Sequence, residues 1–150
     1  KDLAKAPLPR VVWKKFAQYC DKFNFKKTSY HAPVAAGFNI NNFDMVIVQR
    51  MCEAHGPLDT KRGEQKLFNP IFSIDLMQHI YCWFENNQDV KSYGLDYLRD
   101  YFGMSKDNAH DALQDVKDTA NILIKFLKMQ RSLIKKITFE KAFANGELYV

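Results

Sequence analysis

Residues 109 to 127, AHDALQDVKDTANILIKFL, set the strongest constraint on what this chain can fold into. They suit the longest helix of the sequence, running on to about Leu133. At about 100° per residue, Gln114, Lys117, Asp118, Asn121, Lys125 and Lys128 gather on one polar arc, with Asp111 at its edge. Ala112, Leu113, Val116, Ala120, Ile122, Leu123, Ile124, Phe126 and Leu127 fill the wide remainder, with Thr119 among them. Asp115 falls inside that apolar arc, between Ile122 and Phe126. A carboxylate so placed needs a hydrogen-bonded partner, a cation or a metal, because burying an unpaired charge is expensive.

The rest of the chain supplies alternating elements around this helix. Leu8 to Phe25 reads as a helix with a proline suited to its first turn, its apolar positions Val11, Val12, Phe16, Tyr19 and Phe23 recurring at helical spacing. HAPVAAGF, residues 31 to 38, is a short apolar run between turn formers and predicts a buried strand. NINN makes a polar turn, and a helix follows from Phe43 with Val46, Ile47 and Met51 on one side. Residues 55 to 70 read as a polar loop, and IFSIDLM as a second strand leading into a helix through Trp83. Tyr93 to Phe102 is a short helix stopped by Gly103. The tail, residues 134 to 150, has an Asn-Gly turn signal for a hairpin and no legible role. Strands alternating with helices predict an α/β fold with parallel pairing, yet two convincing strands are too few for this many helices.

At 150 residues the chain reads as a single domain, with no internal repeat or linker. No apolar run approaches the roughly 20 residues that span a bilayer. Cys20, Cys52 and Cys82 are odd in number and lack CxxC spacing, which predicts buried free thiols in a reducing cytoplasm and neither disulfides nor a zinc site. The net charge of +5, with Lys14-Lys15, Lys26-Lys27, Lys61-Arg62 and Lys135-Lys136 as basic pairs, suits a polyanionic partner, nucleic acid first.

Two motifs then carry a resemblance. AHDALQD, with His110 and Asp115 separated by four residues, resembles the third motif of the DEDDh 3′-to-5′ exonucleases. GFNINNFD, ending at Asp44, resembles that family's second motif. FSIDLM, YGLDYLRDYFGM and the helix in DLAKAPLPRVVWKKF are similar to its intervening and preceding elements, so that the match runs from about Asp2 to Leu133. The family includes the polymerase III proofreading subunit, oligoribonuclease and exonuclease I.

The resemblance implies an RNase H-like fold and hydrolysis of phosphodiester bonds at nucleic-acid 3′ ends by a two-metal mechanism. It implies Asp44 and Asp115 as metal-binding carboxylates and His110 as general base. Two Mg²⁺ or Mn²⁺ ions, about 4 Å apart, are the implied cofactors, and aspartate oxygens are the hard ligands they prefer. A histidine titrating near neutrality can take a proton from the attacking water. The implied partners are single-stranded 3′ ends, DNA ahead of RNA, and a polymerase or other replication protein. Phe38 and Phe43 are candidates to stack on a terminal base, and Lys61, Arg62 and Lys66 to guide a strand.

Two departures bear on this. The family often has Asn four residues before the second-motif aspartate, where this chain has Ile40 between Asn39 and Asn41. Its first motif, Asp-x-Glu, occurs nowhere in the 150 residues. In the family it lies on a strand upstream of where this chain begins, so truncation accounts for both the missing motif and the missing first strands. The 150 residues as they stand are then expected to be inactive. Asp111 and Asp118 are set aside as substitutes because both fall on the polar arc, and Asp75 reads as a structural residue at a strand end. Two alternatives stay open: a catalytically inert nucleic-acid-binding or protein-interaction module of the same fold, and a generic α/β domain. The last requires Asp115 to be capped by an arginine or a backbone donor.

Overall fold

The computed structural model describes residues 5–105 and 111–134. The chain is mixed α/β with small sheets, and it groups into two compact units, Lys1–Tyr93 and Gly94–Val150.

The first unit opens with α1 (Pro9–Asp21), whose proline occupies the first turn, where no backbone donor is needed. Its buried residues are Trp13 and Cys20, with Ala17 half-buried between them. Val11, Val12, Phe16, Tyr19 and Phe23 stand on the exposed side instead, so the helix forms as predicted with the other face inward. Indole geometry helps fix that choice: Trp13 Nε1 donates to the Gly56 carbonyl at 2.6 Å. A short 3₁₀ turn (Ser29–His31) then leads into β1 (Ala35–Gly37).

From β1 the chain crosses over through α2 (Asp44–His55) and a small hairpin, β2 (Leu58–Asp59) with β3 (Glu64–Gln65), before returning as β4 (Ser73–Asp75). Such a crossover is what a parallel pair needs, and β1 and β4 do pair in parallel, with Ala35 opposite Ser73 and Gly37 opposite Asp75. Both predicted strands are therefore present. The hairpin was expected as loop; side chains hold it where periodicity gives no signal. Gln49 on α2 donates to the Gly63 carbonyl at 2.7 Å and accepts from the Gln65 amide at 2.9 Å. Gln65, itself buried, accepts from the amides of Leu67 and Phe68.

Trp13, Cys20, Val48, Cys52 and Leu67 form the core between α1, α2 and the hairpin, flanked by Ala17, Met51, Leu58 and Phe68. Val46 and Ile47 of α2 lie on its exposed side. Burial pushes the Cys20 and Cys52 thiols above their usual pKa, but Cys82 is exposed, against the expectation of burial for all three. After β4, α3 (Leu76–Phe84) buries Leu76 and Ile80 completely.

The second unit is helical where it is described. Its α4 (Leu95–Tyr101) ends in a Schellman arrangement, in which Met104 N–H bonds the Arg99 carbonyl at 2.8 Å and Gly103 N–H bonds that of Asp100 at 3.0 Å. Gly103 takes φ +64°, the left-handed conformation that this turn demands. The long helix α5 (Ala112–Ile134) begins where Asp111 Oδ1 accepts the amides of Leu113 and Gln114, a side-chain N-cap. Ile122 and Phe126 are its buried apolar residues, and the Phe126 ring meets Phe102 edge-on at 6.0 Å. Among the described residues no helix is long and apolar enough to cross a membrane. The hairpin expected in the tail lies outside the described residues.

Candidate functional site

Asp44 is delivered by a turn that is built around Gly37 and Asp75. A Cβ on Gly37 would stand 3.0–3.2 Å from the Ile40 side chain, so the strand end has room for glycine and little else. Ile40 is buried and fills that space. Its carbonyl accepts from Met45 N–H at 2.9 Å. Asn39, just before it in the chain, takes φ +54°, a left-handed conformation that Asn tolerates better than most residues. Asp75 then secures the turn: Oδ1 accepts Asn39 N–H at 2.9 Å and Met77 N–H at 3.2 Å, and Oδ2 accepts Asn41 N–H at 3.4 Å. One buried carboxylate thereby ties the turn, the end of β4 and the start of α3 together. The sequence reading of Asp75 as structural agrees with this geometry.

Asp44 itself is the first residue of α2 and is exposed. The dipole of that helix end favours a negative charge there. It lies beyond the carboxyl end of a parallel strand, where ligand sites of open α/β sheets collect. Phe43 beside it is 63% exposed and Phe38 is half-buried. Lys61, Arg62 and Lys66 are exposed on and beside the hairpin, and the Arg62 guanidinium lies 3.5 Å from the Tyr30 hydroxyl, a hydrogen bond that raises its pKa.

Asp115 lies in the first turn of α5, at the start of the inner face on which Asp118, Thr119, Ile122 and Phe126 are buried. Its partner is Arg99 of α4, which is 1% exposed. Arg99 Nη2 donates to Asp115 Oδ1 at 2.6 Å, Nε to Asp118 Oδ2 at 2.8 Å, and Nη1 to Asp96 Oδ1 at 2.7 Å. Desolvation opposes the Arg99 charge, but the carboxylates of Asp115, Asp118 and Asp96 outweigh it and hold the guanidinium pKa above its ordinary value.

Asp118 requires a correction. It does not belong to an outward polar arc: its side chain is 5% exposed, and its second oxygen accepts from Gln114 Nε2 at 2.8 Å. Three residues along a helix amount to a rotation of only about 60° from Asp115, near enough for one guanidinium to bond both. Asp115 is the more accessible of the two, with its side chain 37% exposed.

Sequence reasoning missed Arg99, although a signal was present. Arg99 sits on the side of α4 that carries Leu95, Leu98 and Phe102, so that a base on one apolar face faces an acid on the other.

His110 lies outside the described residues. Asp44 belongs to the first unit and Asp115 to the second. Their oxygens are the kind of donor a hard divalent cation takes. Even so, no three His, Cys, Asp or Glu side chains among the described residues are gathered so as to hold a metal, and Asp115 already has a cation in Arg99.

A stretch of 67 residues, 44% of this chain, is 37% identical to the PolC-type DNA polymerase III of Caldanaerobacter subterraneus subsp. tengcongensis. That stretch spans 4% of the polymerase's length. Neither a known family profile nor a solved structure matches the chain.

Proposed function

We propose that this chain is part of a 3′-to-5′ exonuclease of the DEDDh type with an RNase H-like fold. The observation that carries the reading is the order and setting of its two motifs. GFNINNFD brings Asp44 to a helix start just past a parallel strand, and AHDALQD leads into a helix with Asp115 on its inner face. The partial similarity to a DNA polymerase III runs in the same direction.

In this reading Asp44 and Asp115 each contribute a carboxylate toward Mg²⁺ or Mn²⁺, and the metal site draws on further carboxylates besides these two. Two such ions, when bound, orient the scissile phosphate and stabilise the attacking and leaving oxygens. His110 takes the proton of the attacking water and releases it again. The turn held by Asp75 keeps Asp44 in place before any ligand arrives, which lowers the ordering cost of binding. Exposed Phe43 offers a stacking surface to the terminal base, and Lys61, Arg62 and Lys66 attract the phosphates of a single strand, DNA ahead of RNA.

The test is digestion of a 3′-labelled strand with Mn²⁺ by the longest form of the protein that can be purified. Asp115→Asn is expected to abolish the metal-stimulated product while leaving the circular dichroism unchanged. Full digestion by that variant would sink the assignment.

A second reading has one observation in its favour. Arg99 satisfies Asp115 as a purely structural ion pair would, which is what a generic α/β domain requires and also suits an inert module that binds single strands through its basic surface. That reading expects strand binding that weakens steeply with salt and gives no metal-dependent product.

A further inference from the structure

The solvent-facing side of α1 is patterned as a helix-pairing seam. Val12, Phe16, Tyr19 and Phe23 are spaced four, three and four residues apart, the d-a-d-a order of a heptad. All four are exposed in spite of their apolar character, between 38% and 57%. Phe23 lies just past the helix, in a turn where its N–H bonds the Cys20 carbonyl at 3.0 Å, and its ring meets Tyr19 edge-on at 5.3 Å, so the stripe continues unbroken. At about 1.5 Å per residue the seam runs about 16 Å, three turns of helix. Its two borders differ. Trp13 and Cys20, at the heptad positions after d, are sealed into the core of the first unit. Lys15 and Lys22, at the positions before a, are exposed and paired with no acid among the described residues. The one acid of α1, Asp21, lies on the opposite side of the helix and is paired with Lys27. A partner therefore meets an apolar seam with a single free rim, and that rim is basic.

We propose that this face of α1 docks an acidic amphipathic helix of another protein, with apolar residues against Val12, Phe16, Tyr19 and Phe23 and carboxylates against Lys15 and Lys22. Charge complementarity selects that occupant, because the charges flanking the seam of paired helices decide which helices pair. A second copy of this chain fits badly: it brings lysines against lysines and no acid to meet them, whichever way the two helices run. A nucleic-acid strand has the right sign of charge but needs open ring faces on which its bases can stack. Here Phe16 is tilted against Trp13 at 43° and against Phe68 at 53°, and Tyr19 against Phe23 at 72°, so the rings interlock as knobs along the helix. Knobs of that kind bury themselves in the holes of a facing helix. This docking needs no catalysis and stands apart from the exonuclease reading.

Calorimetric titration of the full chain with a synthetic three-heptad peptide tests this, the peptide carrying leucine at a and d and glutamate at e and g. Its glutamates keep it from pairing with itself at neutral pH. A counterpart with lysine in place of glutamate is the control. The glutamate peptide is expected to bind about tenfold more tightly than the lysine peptide, with a difference that shrinks as salt is added. Tyr19→Ser, at an exposed position, should weaken the glutamate peptide about tenfold, the factor for one lost apolar anchor. Equal binding of the two peptides, or no binding of either, overturns the proposal.

If Tyr19→Ser does not fold, charge reversal decides. Lys15 and Lys22 are exposed, and the double variant Lys15→Glu, Lys22→Glu should prefer the lysine peptide to the glutamate peptide; an unchanged preference overturns the proposal. Two further titrations identify other occupants. If an oligothymidylate strand binds the wild type and Tyr19→Ser releases it, the face belongs to nucleic acid. If the chain dimerises with concentration and Tyr19→Ser disperses the dimer, the face belongs to a second copy. Either result overturns the proposal.

Discussion

The two units treat an aspartate of the same candidate role in opposite ways. In the first, Asp44 is exposed at the tip of a turn, and the labour of placing it falls on its neighbours: Gly37, Ile40 and above all Asp75. In the second, Asp115 lies on an inner helical face and is itself part of the packing, through Arg99. Preorganisation thus comes from backbone geometry in one unit and from charge pairing in the other. The first should survive loss of its aspartate, and the second should notice.

The largest effect that would break this contrast is at Arg99. Arg99→Met leaves Asp118 buried without its cation and should cost about 3–5 kcal/mol in urea unfolding, read from protection of the α4 and α5 amides against hydrogen exchange. A cost near zero would mean that the ion cluster is ornamental. In the first unit, where apolar burial carries the stability, Leu76→Ala should cost about 2–5 kcal/mol by the same measurement. That cost should be nearly independent of salt.

The aspartates themselves give the sharper pair. Without metal, Asp115→Asn should destabilise by about 1–2 kcal/mol, since it weakens one charge-assisted bond at a partly exposed group. Asp44→Asn should cost less than about 1 kcal/mol, the value of a favourable charge at a helix start. Equal costs would erase the distinction between the units.

The smallest effect is a pH dependence in the hairpin. Amides of Lys61 and Arg62 donate to Asp59 and lower its pKa, so its stabilisation is present above about pH 4, the ordinary carboxylate range, and is lost as pH falls through the lowered folded value. The Lys61 amide shift, followed by NMR during acid titration, should report a midpoint below that range.

The order of elements was legible because punctuation is local. Pro9, the NINN turn and Gly103 each act within a few residues, and each falls where the sequence puts it. Faces were harder. On α1 the periodic residues Val11, Val12, Phe16, Tyr19 and Phe23 are exposed, while Trp13 and Cys20 go inward because a partner carbonyl at Gly56 and the neighbouring α2 select that side. Periodicity says that a helix has two sides, and only the partner says which is covered.

At the candidate site, Asp115 was picked out by its position on the wheel, and that position is correct. Its partner was not identified, because the bond joins residues 16 apart and each looks anomalous only on its own helix. The short hairpin escaped notice for a related reason, since glutamine side chains on α2 and within the loop hold it.

Trp13, whose indole bonds the Gly56 carbonyl, is one of two tryptophans in the chain; the other, Trp83, also lies in the first unit and is far more exposed. The second unit carries tyrosines but no tryptophan. Fluorescence excited beyond the tyrosine band therefore sees one unit and is blind to the other. The protein comes with its own optical label. An emission trace that coincides with loss of α5 helicity would reveal one cooperative transition, and a trace that separates from it would reveal two.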